Sequence, residues 1–329
     1  MQGLRILLYP FSILYDGITG LRNYGFDRGW LTSTKFDIPI IAVGNLSTGG
    51  TGKTPMIEFL IRQNTGKKIA VLSRGYGRKT KGYREVTIES KAIQVGDEPL
   101  QFKSKFKDEI IVAVCEKRVQ GIQRLIQDHN PEVILLDDAY QHRYVQASHY
   151  ILLTSYDQPF YKDLVLPAGN LRESVSGAVR AHSIIVTKCP AELSDKEMAE
   201  IRSQLKPREH QQVYFSTISY SANVIGLTKA ISLESLKDQN ITVVTGIAKP
   251  SYFVDFLKKY MTVKHLQFPD HYNYKQKDIQ LFKDQNNIVI TTEKDYVRLR
   301  EFNISNLYYI PIEARFLGRM PDPNKSDNL

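Results

Sequence analysis

Short apolar runs alternate with longer amphipathic stretches along most of this 329-residue chain, and that alternation leaves few folds open. The runs IPIIAV, KIAVLS, EIIVAV, EVILLDD, YILLTS and SIIVTK read as strands, and TPMIEFLIRQ, EKRVQGIQRLIQD and DKEMAEIRSQLK as the helices between them. This is the pattern of a parallel sheet flanked by helices, so the first two thirds read as one α/β domain. A second, smaller set follows: ITVVTGI, VKHLQF and NIVITT, separated by SYFVDFLKKY and QKDIQLFKDQ. QVYFSTISY and LYYIPIEARF flank that set with polar alternation and are expected to pair as a two-stranded linker. The layout expected is an amino-terminal helix over 1–30, a larger domain over 31–212, a linker strand over 213–222, a smaller domain over 223–306, and a return strand with tail over 307–329. The tail RMPDPNKSDNL is expected to be disordered.

One turn of this scaffold carries chemistry. The strand ending at Val43 runs into VGNLSTGGTGKTP, a glycine-rich loop that opens onto a helix. A phosphate-binding loop is written G-x-x-x-x-G-K-[ST]; Gly52, Lys53 and Thr54 fit it, but Ser47 stands where the first glycine belongs. Thr48, Gly49, Gly50 and Thr51 complete the loop, whose glycines let successive backbone N–H groups curl round phosphate oxygens. Lys53 then reaches the β and γ phosphates, and Thr54 supplies an oxygen to Mg²⁺. EVILLDD ends in Asp137 and Asp138, either of which can serve the metal. Two clusters offer a group to orient and deprotonate an acceptor hydroxyl: VGDEP, with Asp97 and Glu98, and FPDHYNY, with Asp270 and His271. Arg74 and Arg78, in the basic run after the second strand, are candidates for holding an anionic substrate group.

With 44 Lys+Arg against 35 Asp+Glu, the formal charge of +9 favours an anionic partner. No helix-turn-helix, RRM or zinc signature is present, so nucleic acid is not the expected one. Cys115 and Cys189 lack C-x-x-C partners and read as buried free thiols, consistent with a reducing cytosol. The opening LRILLYPFSILYDGITGLRNYGFDRGWL is strongly apolar, yet its core from Ile6 to Tyr15 is shorter than the about 20 residues that a span requires. From the residues alone it is either an interfacial helix with Arg5, Arg22 and Arg28 near headgroups or a helix packed on the domain.

Taken together, the motifs VGNLSTGGTGKTP, SRGYGR, VGDEP, DDAYQHR, LPAGNLRES, VTKCP, FPDHYNY and TTEKDYVRL, in this order, resemble the tetraacyldisaccharide 4'-kinase family of lipid A biosynthesis. The family itself carries the deviant loop with Ser47. The resemblance implies a P-loop α/β/α domain and a smaller α/β/α domain joined by a two-stranded linker. It implies transfer of the ATP γ-phosphate to the 4'-hydroxyl of a tetraacylated disaccharide 1-phosphate lipid, giving lipid IVA. Lys53 and Thr54 would act on the phosphates and Mg²⁺, Asp137 or Asp138 on the metal, and Glu173 would be a further acid near it. Asp97 is similar to the family's general base, with His271 as its partner; Glu98, Arg74, Arg78 and Asp270 are candidates for substrate contact. Ala139 and Tyr140 depart from the glycine and leucine of many members, with an effect expected on packing only. A lipid substrate favours the interfacial reading of residues 4–25, hence peripheral contact with the cytoplasmic face of the bacterial inner membrane. The competing class is a P-loop ATPase acting as a switch, which would have no use for an Asp-His pair.

Overall fold

The computed structural model describes residues 5–283, 287–318 and 320, so residues 1–4 and nearly all of the tail RMPDPNKSDNL lie outside the described residues. The chain divides into two compact units: Met1–Arg74, Glu109–Ile218 and Ala314–Leu329 form the first, Gly75–Asp108 and Ser219–Glu313 the second.

The first unit is built on strands β1 (Ile40–Asn45), β2 (Ile69–Ser73), β3 (Ile110–Val114), β4 (Val133–Leu136), β5 (His149–Ser155), β6 (Ser183–Thr187) and β7 (Gln212–Tyr220). They lie in the order β7-β6-β5-β1-β4-β2-β3, each pair parallel. Every residue of β1, β2, β4 and β6 is buried, which is why these segments read as unbroken apolar runs. Helices α1 (Tyr9–Asp27), α2 (Lys53–Gln63), α4 (Arg118–His129) and α5 (Asp195–Leu205) belong to this unit. α5 starts with a capping box in which Ser194 and Glu197 satisfy each other's backbone N–H. Register sets Ile41 opposite Leu135 and Val43 opposite Ile151, so the loops after β1 and β4 leave side by side from the carboxyl edge of the sheet.

The second unit holds β8 (Asn223–Gly226), β9 (Ala230–Ser232), β10 (Asn240–Thr245), β11 (Thr262–Gln267), β12 (Val289–Thr292) and β13 (Leu307–Ile310) in the order β9-β8-β13-β12-β10-β11. The four strands from β13 to β11 are parallel, and β8 and β9 add an antiparallel edge. One core cluster gathers round Val243, Leu257 and Ile310 and another round Val244, Ile279 and Leu299, the two faces of β10. QVYFSTISY is β7, and the second half of LYYIPIEARF is β14 (Ile312–Phe316), its neighbour in the large sheet; the first half is β13 of the small one.

Segment 75–108, expected within the larger domain, groups with the second unit. The reason is α3 (Asp97–Phe106), a helix that opens within VGDEP. It packs on α7 (Glu293–Leu299), with α6 (Ser251–Leu257) elsewhere in the unit. Three ion pairs fasten α3 to α7: Asp97 with Arg298, Glu98 with Lys294 at 3.3 Å, and Lys105 with Glu293 at 2.8 Å.

Candidate active site

In the first unit the phosphate-binding loop begins as extended chain. Ser47 forms an antiparallel bridge with Leu171, flanked by hydrogen bonds from Thr48 N–H to the Asn170 carbonyl and from Arg172 N–H to that of Leu46, both 2.7 Å. An extended residue needs no glycine, which accounts for Ser47. The first left-handed turns come later, at Gly49 (φ 107°) and Gly52 (φ 86°). Gly52 caps α2 without any side-chain hydrogen bond, leaving the first-turn N–H groups to an anion, and Pro55 sits where a missing N–H is harmless. Lys188 donates to the Gly50 carbonyl at 2.6 Å and Thr187 to that of Thr51 at 2.8 Å, tying the loop to the end of β6. The buried hydroxyl of Thr51 has no hydrogen-bond partner among the described residues, as a group awaiting a ligand would show.

Next to this loop, β4 delivers the two aspartates into different surroundings. Asp137 is buried, and its Oδ2 accepts from the Ser73 hydroxyl at 2.9 Å. Asp138 adopts a left-handed conformation (φ 47°), accepts from Arg172 Nη1 at 2.9 and 3.1 Å, and lies 3.7 Å from the Lys53 ammonium. Burial raises its pKa, but Lys53 and Arg172 outweigh this and hold it below the ordinary value. Arg118, itself buried, donates to the carbonyls of Cys115 and Asp137, and burial brings its pKa down to about 10. Burial, then the charges of Arg118, Arg22 and Arg74, bring His142 down to about 4 and keep it neutral. The loop end of this sheet is thus a cationic surround for an anion, with Lys53 lent to Asp138 until a phosphate competes for it.

Glu173, expected near the metal, is occupied otherwise. Its Oε1 accepts from Gln141 at 2.9 Å and Arg180 at 2.8 Å, and its Oε2 from Asn23 at 2.7 Å. Three donors on a 3 % exposed carboxylate make it a fastener between α1 and the loop after β4. Among the described residues no three His, Cys, Asp or Glu side chains converge as a metal-holding group. Tyr140 is fully buried and donates to the Gly177 carbonyl at 2.8 Å. A Cβ on Gly44 would come 2.7 Å from the Cβ of Tyr140, so β1 needs glycine there.

The second unit brings together two clusters whose Asp97 and His271 are 174 residues apart in the chain, the pair that the resemblance implied. Gly96 (φ 91°) turns the chain into α3, where Asp97 occupies the first turn. Arg298 grips its carboxylate through Nε on Oδ1 at 2.8 Å and Nη2 on Oδ2, and His271 Nδ1 lies 2.9 Å from Oδ2. Burial raises the Asp97 pKa, but hydrogen bonds from Arg298 and then His271, with their charges, bring it to about 2. Asp270 and Glu98 stand beside this pair: Lys294 lies 3.3 Å from Glu98 Oε1 and 3.7 Å from Asp270 Oδ1. Buried Asp295, in the first turn of α7, accepts from Gly246 N–H at 2.9 Å and the Thr292 hydroxyl at 2.8 Å. Of the basic loop, Arg74 is exposed in the first unit, whereas Arg78 is in the second and donates to the Gly82 carbonyl at 2.8 Å, closing its own loop.

Residue-by-residue reading of the sequence did not assign Arg118, Arg172, Lys188, Lys294 or Arg298. The last two had a legible signal: in TTEKDYVRL they are four apart and share a helix face.

Over residues 4–325 the sequence matches the family described as Tetraacyldisaccharide-1-P 4'-kinase. The chain belongs to this 4'-kinase family. The tetraacyldisaccharide 4'-kinase of Flavobacterium johnsoniae is 50% identical over 323 residues, covering 97% of this chain and 94% of that one. That of Cytophaga hutchinsonii is 42% identical over 327 residues, 94% and 91% of the two chains. Among solved structures, the "apo" form of LpxK from Aquifex aeolicus in complex with ATP superposes with a TM-score of 0.79 at 30% identity, covering 96% of each chain. Mixed α/β units with large parallel sheets, one of them carrying the P-loop, are the fold class expected from sequence.

Proposed function

We infer that this chain is the kinase that moves the γ-phosphoryl group of ATP to the 4'-hydroxyl of a tetraacylated disaccharide 1-phosphate, giving lipid IVA. The observation that carries the reading is the family match along almost the whole chain, joined to a loop whose uncapped helix end and Lys53 suit a triphosphate. In the reaction the O–H bond of the acceptor breaks and its proton passes to the Asp97 carboxylate. A bond forms between the 4'-oxygen and the γ-phosphorus, the bridging bond to the β-phosphate breaks, and ADP leaves. Lys53 and the first-turn N–H groups of α2 carry the negative charge during transfer. Mg²⁺, where bound, would neutralise phosphate charge. Thr54, Asp137 and Asp138 fit it, because Mg²⁺ commonly takes one or two carboxylates plus phosphate oxygens and waters rather than an all-protein cage. Glu173 could join them only by giving up its three donors.

The test is transfer of label from γ-labelled ATP to the tetraacyl disaccharide 1-phosphate in detergent. Label in the lipid is the expected result; label released only as phosphate, at a rate indifferent to lipid, would favour an ATPase switch.

The lipid also gives a use to α1. Leu7, in the 3-10 turn Ile6–Leu8 ahead of it, and Phe11, Leu14, Ile18 and Leu21 form a stripe at alternating spacings of four and three and are 72, 62, 64, 61 and 67% exposed. The opposite face is polar and bonded to its own unit: Ser12 accepts from Ala168 N–H, Tyr15 donates to the Arg172 carbonyl, and Asn23 donates to Glu173. Arg22 and Arg143 lie 5.1 and 5.2 Å from the Phe26 ring centre and hold the far end. A helix with its apolar stripe outward suits a bilayer interface, where each such side chain is worth about 1.5–3 kcal/mol on full burial. No described helix is long and apolar enough to cross a membrane. Substituting Phe11, Leu14 and Ile18 by Ser leaves the bonded face intact, so the variant should stay folded but cease to sediment with anionic phospholipid vesicles. Undiminished sedimentation would place the contact elsewhere.

A further inference from the structure

His271 sits in the left-handed region (φ 55°), a strained conformation for a non-glycine residue that is kept only where its surroundings impose it. Its backbone N–H donates to the Gly246 carbonyl at 3.1 Å. The ring then makes a contact at each nitrogen: Nδ1 is 2.9 Å from Asp97 Oδ2 and Nε2 is 2.9 Å from the Lys294 ammonium. An ionised carboxylate only accepts and an ammonium only donates, so both contacts are hydrogen bonds in one state alone, with the proton on Nδ1 and a lone pair on Nε2. Arg298 Nη2 lies 3.2 Å from Nδ1 and also donates to Asp97, so the Nδ1–H form satisfies the two shorter contacts of the ring, at 2.9 Å each, and gives up this longer one. The Tyr76 ring meets the imidazole edge-on at 5.3 Å, and Glu98 and Asp270 hold Lys294 from its other side.

We propose that Lys294 is a positioning residue for the base: by donating to Nε2 it fixes His271 as the Nδ1–H tautomer and so aims one donor at Asp97. The proposal rests on reading Asp97 as the proton acceptor. In the other tautomer a nitrogen lone pair would face the Asp97 carboxylate, and one of the two side chains would turn away. Glu98 and Asp270, candidates for substrate contact on sequence, serve here as the acceptors that seat the ammonium. Because Lys294 already fills Nε2, His271 orients the carboxylate and does not carry the proton onward.

The test uses the full chain with ¹⁵N-histidine, whose long-range ¹H–¹⁵N spectrum reports which ring nitrogen bears the proton, His271 being assigned by its absence in His271→Gln. The wild type should show His271 protonated on Nδ1 at neutral pH. In Lys294→Met that preference should be lost, with kcat down about tenfold or more and ATP affinity unchanged. Lys294→Arg, which restores a donor, should recover both the tautomer and most of the rate. Lys294→Met with the wild-type tautomer and rate, or Lys294→Arg as impaired as Lys294→Met, would overturn the proposal. Asp97→Asn with wild-type turnover would instead overturn the base assignment, a result independent of the tautomer read in the Lys294 variants.

Discussion

Lys53→Ala is expected to lower turnover about a hundred- to a thousandfold with the fold intact. The ammonium stands at the start of α2, and in the transition state it meets charge gathering on the γ-phosphoryl oxygens, where one preorganised donor is worth that factor. The structural cost of losing it is small. Its contact with Asp138 is 3.7 Å long, and Arg172 stays on the same carboxylate at 2.9 Å. A partly exposed ion pair of this kind contributes about 0–1 kcal/mol, so the thermal midpoint should hardly move. Lys53→Arg should not rescue, since a planar fork cannot take the place of a compact ammonium in a glycine-lined loop. Turnover within a few fold of wild type in Lys53→Ala would remove the phosphate-binding role from the loop. Loss of activity with a large fall in midpoint would instead mean that Lys53 holds the fold.

The loop was legible in sequence because its chemistry is local: a strand, glycines and a helix start follow one another within a dozen residues. Strands β1 to β6 were legible for a similar reason, since burial on both faces leaves unbroken apolar runs. VGDEP was the opposite case. Gly-Asp-Glu-Pro has the composition of a turn, yet Gly96 ends one segment and Asp97 opens a ten-residue helix. What fixes that helix in the second unit is Arg298, 201 residues away, and Glu293, 188 residues from Lys105, distances that no local pattern spans. The β8–β9 hairpin escaped notice because its strands are four and three residues long and mostly exposed or half-buried. Glu173 shows the limit from another side: its place in NLRES suggested an acid for a metal, whereas its partners are a guanidinium and two amides drawn from three separate parts of the chain.

Asp97→Asn is expected to lower kcat about a hundred- to ten-thousandfold while ATP affinity is kept, because the amide can accept a hydrogen bond from the hydroxyl but not its proton. The wild-type carboxylate, held at about 2 by Arg298 and His271 against its burial, is an intrinsically weak base. That is compatible with phosphoryl transfer through a loose transition state, in which the attacking oxygen keeps its proton until late and the carboxylate first serves to aim it. A depressed carboxylate is ionised at every pH above its folded value. The stability it lends is complete above about 3.9, the unfolded value, and is lost only as pH falls toward about 2. The kcat profile between about pH 5 and 8 should therefore show no acid limb from Asp97; a limb that vanished in Asp97→Asn would keep Asp97 as the base but contradict the hold of Arg298 and His271 on its carboxyl. The variant also disturbs a buried pair: Arg298 keeps one acceptor and meets an NH₂ at the other, a change that costs about 3–5 kcal/mol when a buried charge loses its partner. Turnover must accordingly be compared below the variant's lowered midpoint, with ATP binding as the control for folding. An Asp97→Asn enzyme that bound ATP and turned over like wild type would require another acceptor for the proton.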